Sequence, residues 1–456
     1  MVNSNSHDLT EGSIVRKLIS FFLPVAAGTI VQQLYNTADA IIVGRFVGTV
    51  ALASVGGSTT QIVNILIGFF VALTSGSSVI VAHFYGEKNE SGVSRAANTA
   101  VLFCFFMGLA VTAIGEMGAG FFLHIMGAPA DTVANATAYL RICFCSTTFV
   151  LLYNMGAGIL RACGDSRRPF LYLLSCCVTN IVLDLLFVAV LGWGVRGAAA
   201  ATAASQIISC FLVLMRLTHT DEPYRLKKEL LRIDVPTLKR MLGIGVPAGL
   251  QNIMFGFSNA VIQTGVNTLG TTVVAAWTLT GKVDGFYWAV INAAGISVTN
   301  FVGQNYGAGR MDRVRDCVKI SFKLFSVVTV ALSVLIMVVG KIALPLFSED
   351  QALLDKTWEL LWYFVPFYFT WTAIDVLMGT LRGAGDAVVP VIIMAIGIAG
   401  FRILWVWIVF GMISHTLMTL ALVYVASWVI TDIAMFVRYR QWSKAHRENI
   451  DYSFGK

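Results

Sequence analysis

Apolar residues fill this chain in long runs, and polar residues gather in the short intervals between them. Stretches with few charges cover residues 15–43, 50–83, 93–125, 132–160, 169–191, 194–215, 236–267, 272–305, 317–347, 357–381, 387–412 and 413–437. Crossing a bilayer core as a helix takes about 20 apolar residues, so each run predicts one spanning helix, several of them long enough to tilt or protrude. The expected fold is an all-α membrane protein of twelve transmembrane helices.

One polar interval is written twice. GILRACGDSRRP, from Gly158 to Pro169, returns as GTLRGAGDAVVP, from Gly379 to Pro390. At this offset of 221 residues Gly158, Leu160, Arg161, Gly164, Asp165 and Pro169 recur as Gly379, Leu381, Arg382, Gly385, Asp386 and Pro390. Tyr85-Gly86 matches Tyr306-Gly307 at the same offset, while Pro24 matches Pro247 and Asn36 matches Asn259 at 223. Six helices return a chain to its starting side. The halves therefore share one orientation and form two six-helix bundles related by a pseudo-two-fold along the membrane normal, a transporter architecture with sites near the repeat interface. The expected division is an N-terminal lobe over 1–215, a cytoplasmic linker over 216–235, a C-terminal lobe over 236–440 and a cytoplasmic tail over 441–456. In the duplicated turn the glycines permit a tight bend and the proline opens the next helix. Arg161 with Asp165, and Arg382 with Asp386, are placed to pair across it.

Composition agrees: of 456 residues 57% are hydrophobic and 12% charged, with a mean hydropathy of +0.76, where soluble domains carry roughly 25% charged residues. The net charge of +7 would suit a nucleic-acid partner, but its distribution excludes that reading. With both termini placed inside, 23 of the 32 basic residues fall on cytoplasmic segments and four, Arg45, Arg196, Lys341 and Lys356, on outer loops. This is the positive-inside pattern of a multi-pass protein of the cell membrane. The opening MVNSNSHDLTEGSIVRKL lacks the regions of a cleaved signal, so helix 1 is expected to be retained. The eight cysteines lack the paired spacing of zinc or redox sites and read as buried, reduced thiols.

No cofactor is implied. Gly281-Lys282 and Gly340-Lys341 lack the upstream glycine and following Ser or Thr of a phosphate-binding loop, so a pump built from this chain would use an ion gradient. Six scattered histidines and no cluster of acid, base and nucleophile argue against an enzyme.

The spans do contain ionisable residues, each costing about 2.5–3.5 kcal/mol to insert. Gln32, Asn36 and Asp39 share one face of helix 1, and Asn180 and Asp184 share a face of helix 5. Counting about 1.5 Å per residue, Asp39, Asn180, Asp184 and Thr202 of helix 6 fall at one depth in the outer half. Asn154, seven residues before Arg161, falls deeper. Polar residues also join membrane helices by hydrogen bonds alone, which accounts for Asn180, Thr202 or Gln32 as well as function does. Asp39 and Asp184 ask for more, because close carboxylates need a proton or a cation between them. The pair suits proton exchange or Na⁺ binding, with no other metal expected. A second set, Gln32, Asn36, Lys282, Asp284 and Asp375, is a candidate for the cavity or a further ion site. Lys282 and Asp284, two apart, point to different faces of helix 8, and Asp284 is expected to form a structural ion pair with a neighbouring helix.

The helix 1 pattern P-x7-QQLYN-x2-D ending in VGRFVG, then YGEKN, GILRACGD and their second-half counterparts together resemble the multidrug and toxic compound extrusion (MATE) family. The resemblance covers nearly the whole chain. It implies two six-helix bundles around a central cleft, alternating access, and export of cationic or lipophilic drugs against entry of H⁺ or Na⁺. Asp39, Asn154, Asn180, Asp184 and Thr202 match the N-lobe acidic network of the branch named for DNA-damage-inducible protein F, and that match is what adds Asn154 to the site. Asp375 resembles the helix 10 aspartate of the NorM-like branch. That branch also carries a glutamate in helix 7, whereas every residue from Pro247 to Asn267 is uncharged here. The expectation is a monomeric secondary antiporter of small cationic or lipophilic molecules. Two alternatives stand beside it: a lipid-linked precursor flippase of the same superfamily, and an uncoupled channel or receptor. A flippase would need basic residues facing its cavity, and the helices offer Lys282, Arg402 and Arg141.

Overall fold

The computed structural model describes residues 8–48, 51, 54–55, 58–126, 130–346 and 350–453. Among them the chain forms twelve long helices: α1 (Ile14–Phe46), α2 (Ser58–Gly86), α3 (Glu90–Ile125), α4 (Ala130–Ala162), α5 (Arg167–Val190), α6 (Gly194–Thr218), α7 (Val235–Asn267), α8 (Thr271–Gly307), α9 (Met311–Ala343), α10 (Gln351–Gly383), α11 (Val388–Ile413) and α12 (Leu417–Ser453). Ten are long and apolar enough to cross a membrane by length and composition. The other two, α7 and α8, are interrupted by Gln251, Asn252, Asn259 and Gln263, and by Lys282 and Asp284. Residues 441–453, expected as a tail, continue α12 as helix. The first seven and last three residues, on which the placement of the termini bears, lie outside the described residues.

Several helix starts follow directly from sequence. Asn89 caps α3 by accepting from the Gly92 amide at 2.9 Å, Asp350 caps α10 by accepting from Ala352 N at 3.0 Å, and Asp234 caps α7 by accepting from Thr237 N at 3.0 Å. Each satisfies an amide that the first helical turn leaves without a carbonyl. On α9, Val327, Val330, Val334 and Val338 are 57–68% exposed. They recur every three or four residues, a stripe turned away from the protein. In water such a stripe would be a large apolar patch; in a bilayer it faces its proper solvent.

The chain divides into two compact units, Met1–Ile253 with Gly303–Met311, and Met254–Val302 with Asp312–Lys456. The first takes in α1 to α6, the linker, the start of α7 and the last turns of α8. Within it α2 meets α7 backbone to backbone: a Cβ on Gly76 would stand 2.1 Å from the Met241 carbonyl oxygen, and one on Gly245 2.3 Å from that of Leu73. Only glycine admits a backbone so close. The segment before α1 is anchored there too: Leu9 N donates to Gln304 Oε1 at 2.9 Å, and Gln304 Nε2 donates to the Ala162 carbonyl at 2.7 Å.

The duplicated turns adopt one conformation in the two units. Gly164 has φ +86° and Gly385 φ +90°, the left-handed region that a side chain resists. The expected pairings across the turns do not form. Asp165 bonds Arg168 instead, with NH1 to Oδ2 at 2.6 Å, because three residues on is one helical turn and the guanidinium reaches back to the start of α5. Asp386 accepts from Arg438 Nε of α12 at 3.0 Å. Arg382 turns to Met378, donating to its sulfur at 3.3 Å.

Candidate functional site

In the first unit α1 packs along α5, and their shared face carries the two aspartates. Asp39 and Asp184 stand close enough to interact, and two neighbouring carboxyls favour a proton or cation between them. Asp184 and Asn180 are fully buried. Asn180 Nδ2 donates to Thr202 Oγ1 at 3.3 Å, which brings α6 into the cluster. Asp39 Oδ1, both Asp184 carboxyl oxygens and Asn180 Oδ1 are shielded and receive no protein donor. The site is rich in acceptors and poor in donors. Two charges 4 Å apart repel by about 4 kcal/mol at an effective dielectric of 20, so a proton or a small monovalent cation among these oxygens relieves a substantial cost. Among the described residues no three His, Cys, Asp or Glu side chains come together as a metal site.

The backbone around Asp184 is unusual. The α-helical part of α5 ends at Asp184 and the next six residues, Leu185–Val190, form a π-helical turn, with Leu191 N bonding the Leu186 carbonyl five residues back at 2.8 Å. Such turns inside α-helices are frequent at functional sites. Beyond it an apolar cluster of Ile42, Val43, Ala51, Val55, Val188, Val195 and Ala198 packs α1, α5 and α6 together, next to Asp39 and Asp184 in the chain.

Two site members escape a reading confined to carboxylates and amides. Tyr35, one turn before Asp39 on α1, lies near Thr202. Tyr139 of α4 lies near both Asp39 and Tyr35. The i, i+4 spacing of Tyr35 and Asp39 was a usable signal; for Tyr139 no local pattern exists. The Nδ2 of Asn154 donates to the Val150 carbonyl of its own helix at 2.8 Å, not to the cluster. Gln32 and Asn36 are exposed on α1.

The remaining candidates lie in the second unit. Asp284 makes no ion pair among the described residues; its Oδ1 accepts from the Tyr368 hydroxyl of α10. A phenol reaches it where a cation was expected, because the helix facing this side of α8 is lined with aromatic residues. Lys282 is exposed. Asp375 is half-buried, and its carboxyl is 3.7 Å from where a Cβ on Gly295 would stand. Arg402 is 3% exposed and lies over the Tyr424 ring at 4.0 Å.

Comparison with known proteins agrees with this architecture. The family profile described as MatE matches residues 24–186 and 247–408, once in each half. The chain is 28% identical over 398 residues to the probable multidrug resistance protein YoeA of Bacillus subtilis (strain 168), covering 86% of each chain. It is 22% identical over 387 residues to the multidrug export protein MepA of Staphylococcus aureus (strain N315), covering 83% of this chain and 84% of that one. Among solved structures, the outward-facing conformation of a multidrug resistance MATE family transporter of the MOP superfamily superposes with a TM-score of 0.91 at 22% identity, over 97% of this chain and 99% of the other. With twelve helices in two six-helix bundles and the profile matched across both halves, this chain belongs to the MATE family of membrane transporters.

Proposed function

We propose that this protein is a secondary antiporter of the cell membrane that exports cationic or lipophilic drugs and toxic organic compounds in exchange for H⁺ or Na⁺, by alternating access, as a monomer with both termini in the cytoplasm. The observation that carries the reading is the pairing of half-buried Asp39 with fully buried Asp184, neighbouring carboxyls drawn from two different helices. A site of this kind holds a proton or cation with an affinity that depends on the relative position of α1 and α5, and a ligand drives a conformational change only through such a difference between states. Asn180, Thr202 and Tyr35 orient the pair, and the apolar cluster beside them limits water. Asn154, which faces its own helix, takes part only after a rotamer change. The names of the relatives, a multidrug resistance protein and a multidrug export protein, support the substrate class.

The experiment is transport of a fluorescent organic cation into everted vesicles under an imposed pH or Na⁺ gradient. Accumulation against the cation's own gradient, abolished by collapsing the ion gradient, is the expected result. Equilibration without accumulation would mean an uncoupled channel.

A further inference from the structure

The helices that carry Asp39 and Asp184 part at their other ends around a groove of about 600 Å³. A Cβ on Gly28 would stand 3.4 Å from Leu173 Cδ2 and 3.7 Å from Phe170 Cδ2, so α1 and α5 touch at that level. Toward the helix starts the groove opens, lined by Val15, Ile19, Leu23 and Pro24 and by the arginines Arg16 and Arg167. Val15 is 43% and Leu23 57% exposed. Arg16 and Leu23, seven residues apart, share one face of α1. From Arg16 to Pro24 the groove therefore passes from charge to hydrocarbon over about 12 Å.

Four basic residues stand at these two helix starts, and the protein occupies only two of them. Lys17 Nζ donates to the Asp8 carbonyl at 2.7 Å, and Arg168 pairs with Asp165 at 2.6 Å. Arg16 and Arg167 form no ion pair among the described residues, and both are exposed. Neither α1 nor α5 has an acidic residue in its first turn, so nothing of the protein's own offsets the positive end of either helix. A guanidinium presents its donors in a planar fork that matches phosphate oxygens. Two of them, one from each helix, meet above an apolar channel.

We propose that this groove is a binding site for one anionic phospholipid of the inner leaflet, its phosphate held between Arg16 and Arg167 and the upper part of an acyl chain lying along Val15, Ile19 and Leu23. Basic pockets between helices at the cytoplasmic boundary suit such headgroups. The proposal rests on the reading that places these helix starts in the cytoplasm. A zwitterionic lipid brings a cationic group toward the same two arginines and loses part of the attraction. A free phosphate lacks the chain and leaves the apolar wall uncovered. The bound lipid bridges α1 to α5, the helices whose outer halves carry the acid pair.

Native mass spectrometry of the purified full chain in detergent tests this with three probes: dioleoyl phosphatidylglycerol, dioleoyl phosphatidylcholine and sn-glycerol 3-phosphate. The first phosphatidylglycerol adduct should form at a concentration about tenfold or more below that for phosphatidylcholine, since each basic residue at a membrane surface contributes about fivefold. Arg16→Gln and Arg167→Gln should each weaken that adduct about fivefold, and the double variant should bring it to the level of phosphatidylcholine. Lys227→Gln removes one positive charge from the exposed linker and should leave the adduct unchanged. Equal binding of the two lipids, a double variant that binds phosphatidylglycerol as the wild type does, or a loss in Lys227→Gln as large as in Arg16→Gln would overturn the site. Displacement of phosphatidylglycerol by glycerol phosphate would overturn the lipid as its occupant. Adduct formation in detergent does not depend on which way the chain crosses a membrane, so this result and the cytoplasmic placement of the helix starts fail separately.

Discussion

Gly86 and Gly307 stand 221 residues apart at the same position of the repeat, and each admits the other's helix. A Cβ on Gly86 would lie 1.9 Å from the Gln304 carbonyl oxygen, and one on Gly307 would lie 2.2 Å from that of His83. His83 and Gln304 are themselves repeat counterparts. The contact between α2 and the end of α8 is thus reciprocal. Overpacking of this kind costs about 1–3 kcal/mol. Gly86→Ala and Gly307→Ala should each lower the thermal unfolding midpoint measured by size-exclusion fluorescence. The double variant should lose less than the sum, since one added methyl already forces the helices apart and neighbouring changes couple. Strict additivity would show that the two approaches are independent.

The acid pair predicts an asymmetry between the halves. Asp39→Asn and Asp184→Asn should each abolish gradient-driven efflux in everted vesicles while leaving the protein in the membrane. Asp375→Asn, with no helix 7 carboxyl beside it, should alter rate or substrate range more mildly. Tyr35→Phe removes a hydroxyl near Thr202 and should slow coupled efflux, whereas Asn154→Ala should do less. Loss of ion-driven transport in Asp375→Asn with retention in Asp184→Asn would place the coupling site in the other half.

The duplicated turns give a paired test of backbone strain. Gly164→Ala and Gly385→Ala each force a side chain into a left-handed φ, at a cost of about 1–2 kcal/mol. Gly158→Ala is the control, because a Cβ there would meet nothing nearer than 3.6 Å. Both turn variants should lower the unfolding midpoint, and Gly158→Ala should change it little.

The cap of α7 carries a pH dependence. The Thr237 hydroxyl and amide hold the Asp234 carboxyl below the usual carboxylate range. A group whose folded value is depressed contributes stability above its unfolded value, near 3.9, and loses it as pH falls through the folded value. Asp234→Ala should therefore cost about 1 kcal/mol at neutral pH, with the difference from wild type shrinking on acidification below about pH 4. An unchanged difference across that range would mean that the charge of the cap is immaterial.

Orientation is tested at the linker. Lys227 is exposed, and a cysteine in its place, in a cysteine-free background, should react with membrane-impermeant maleimide only in everted vesicles. Labelling from outside intact cells would reverse the assigned topology.

The sequence by itself determined whatever depends on neighbours along the chain. Run length against bilayer thickness yields the twelve helices, and the 221-residue repeat yields two bundles and two equivalent turns. Helical period alone places Asp39 beside Tyr35, and Asp184 beside Asn180, on common faces. Which face meets which is decided only when helices dock. That step joined Asp39 to Asp184 and Asn180 to Thr202, turned Asn154 onto its own helix, drew Asp386 to Arg438 of α12, and gave Asp284 a tyrosine in place of a cation. The groove between the starts of α1 and α5 was the least legible feature, because its walls come from helices far apart in the chain. Each residue there is ordinary in its own helix. Side-chain contacts across helices depend on rotation and crossing angle, and these are set by close packing of the whole bundle, not by any local pattern.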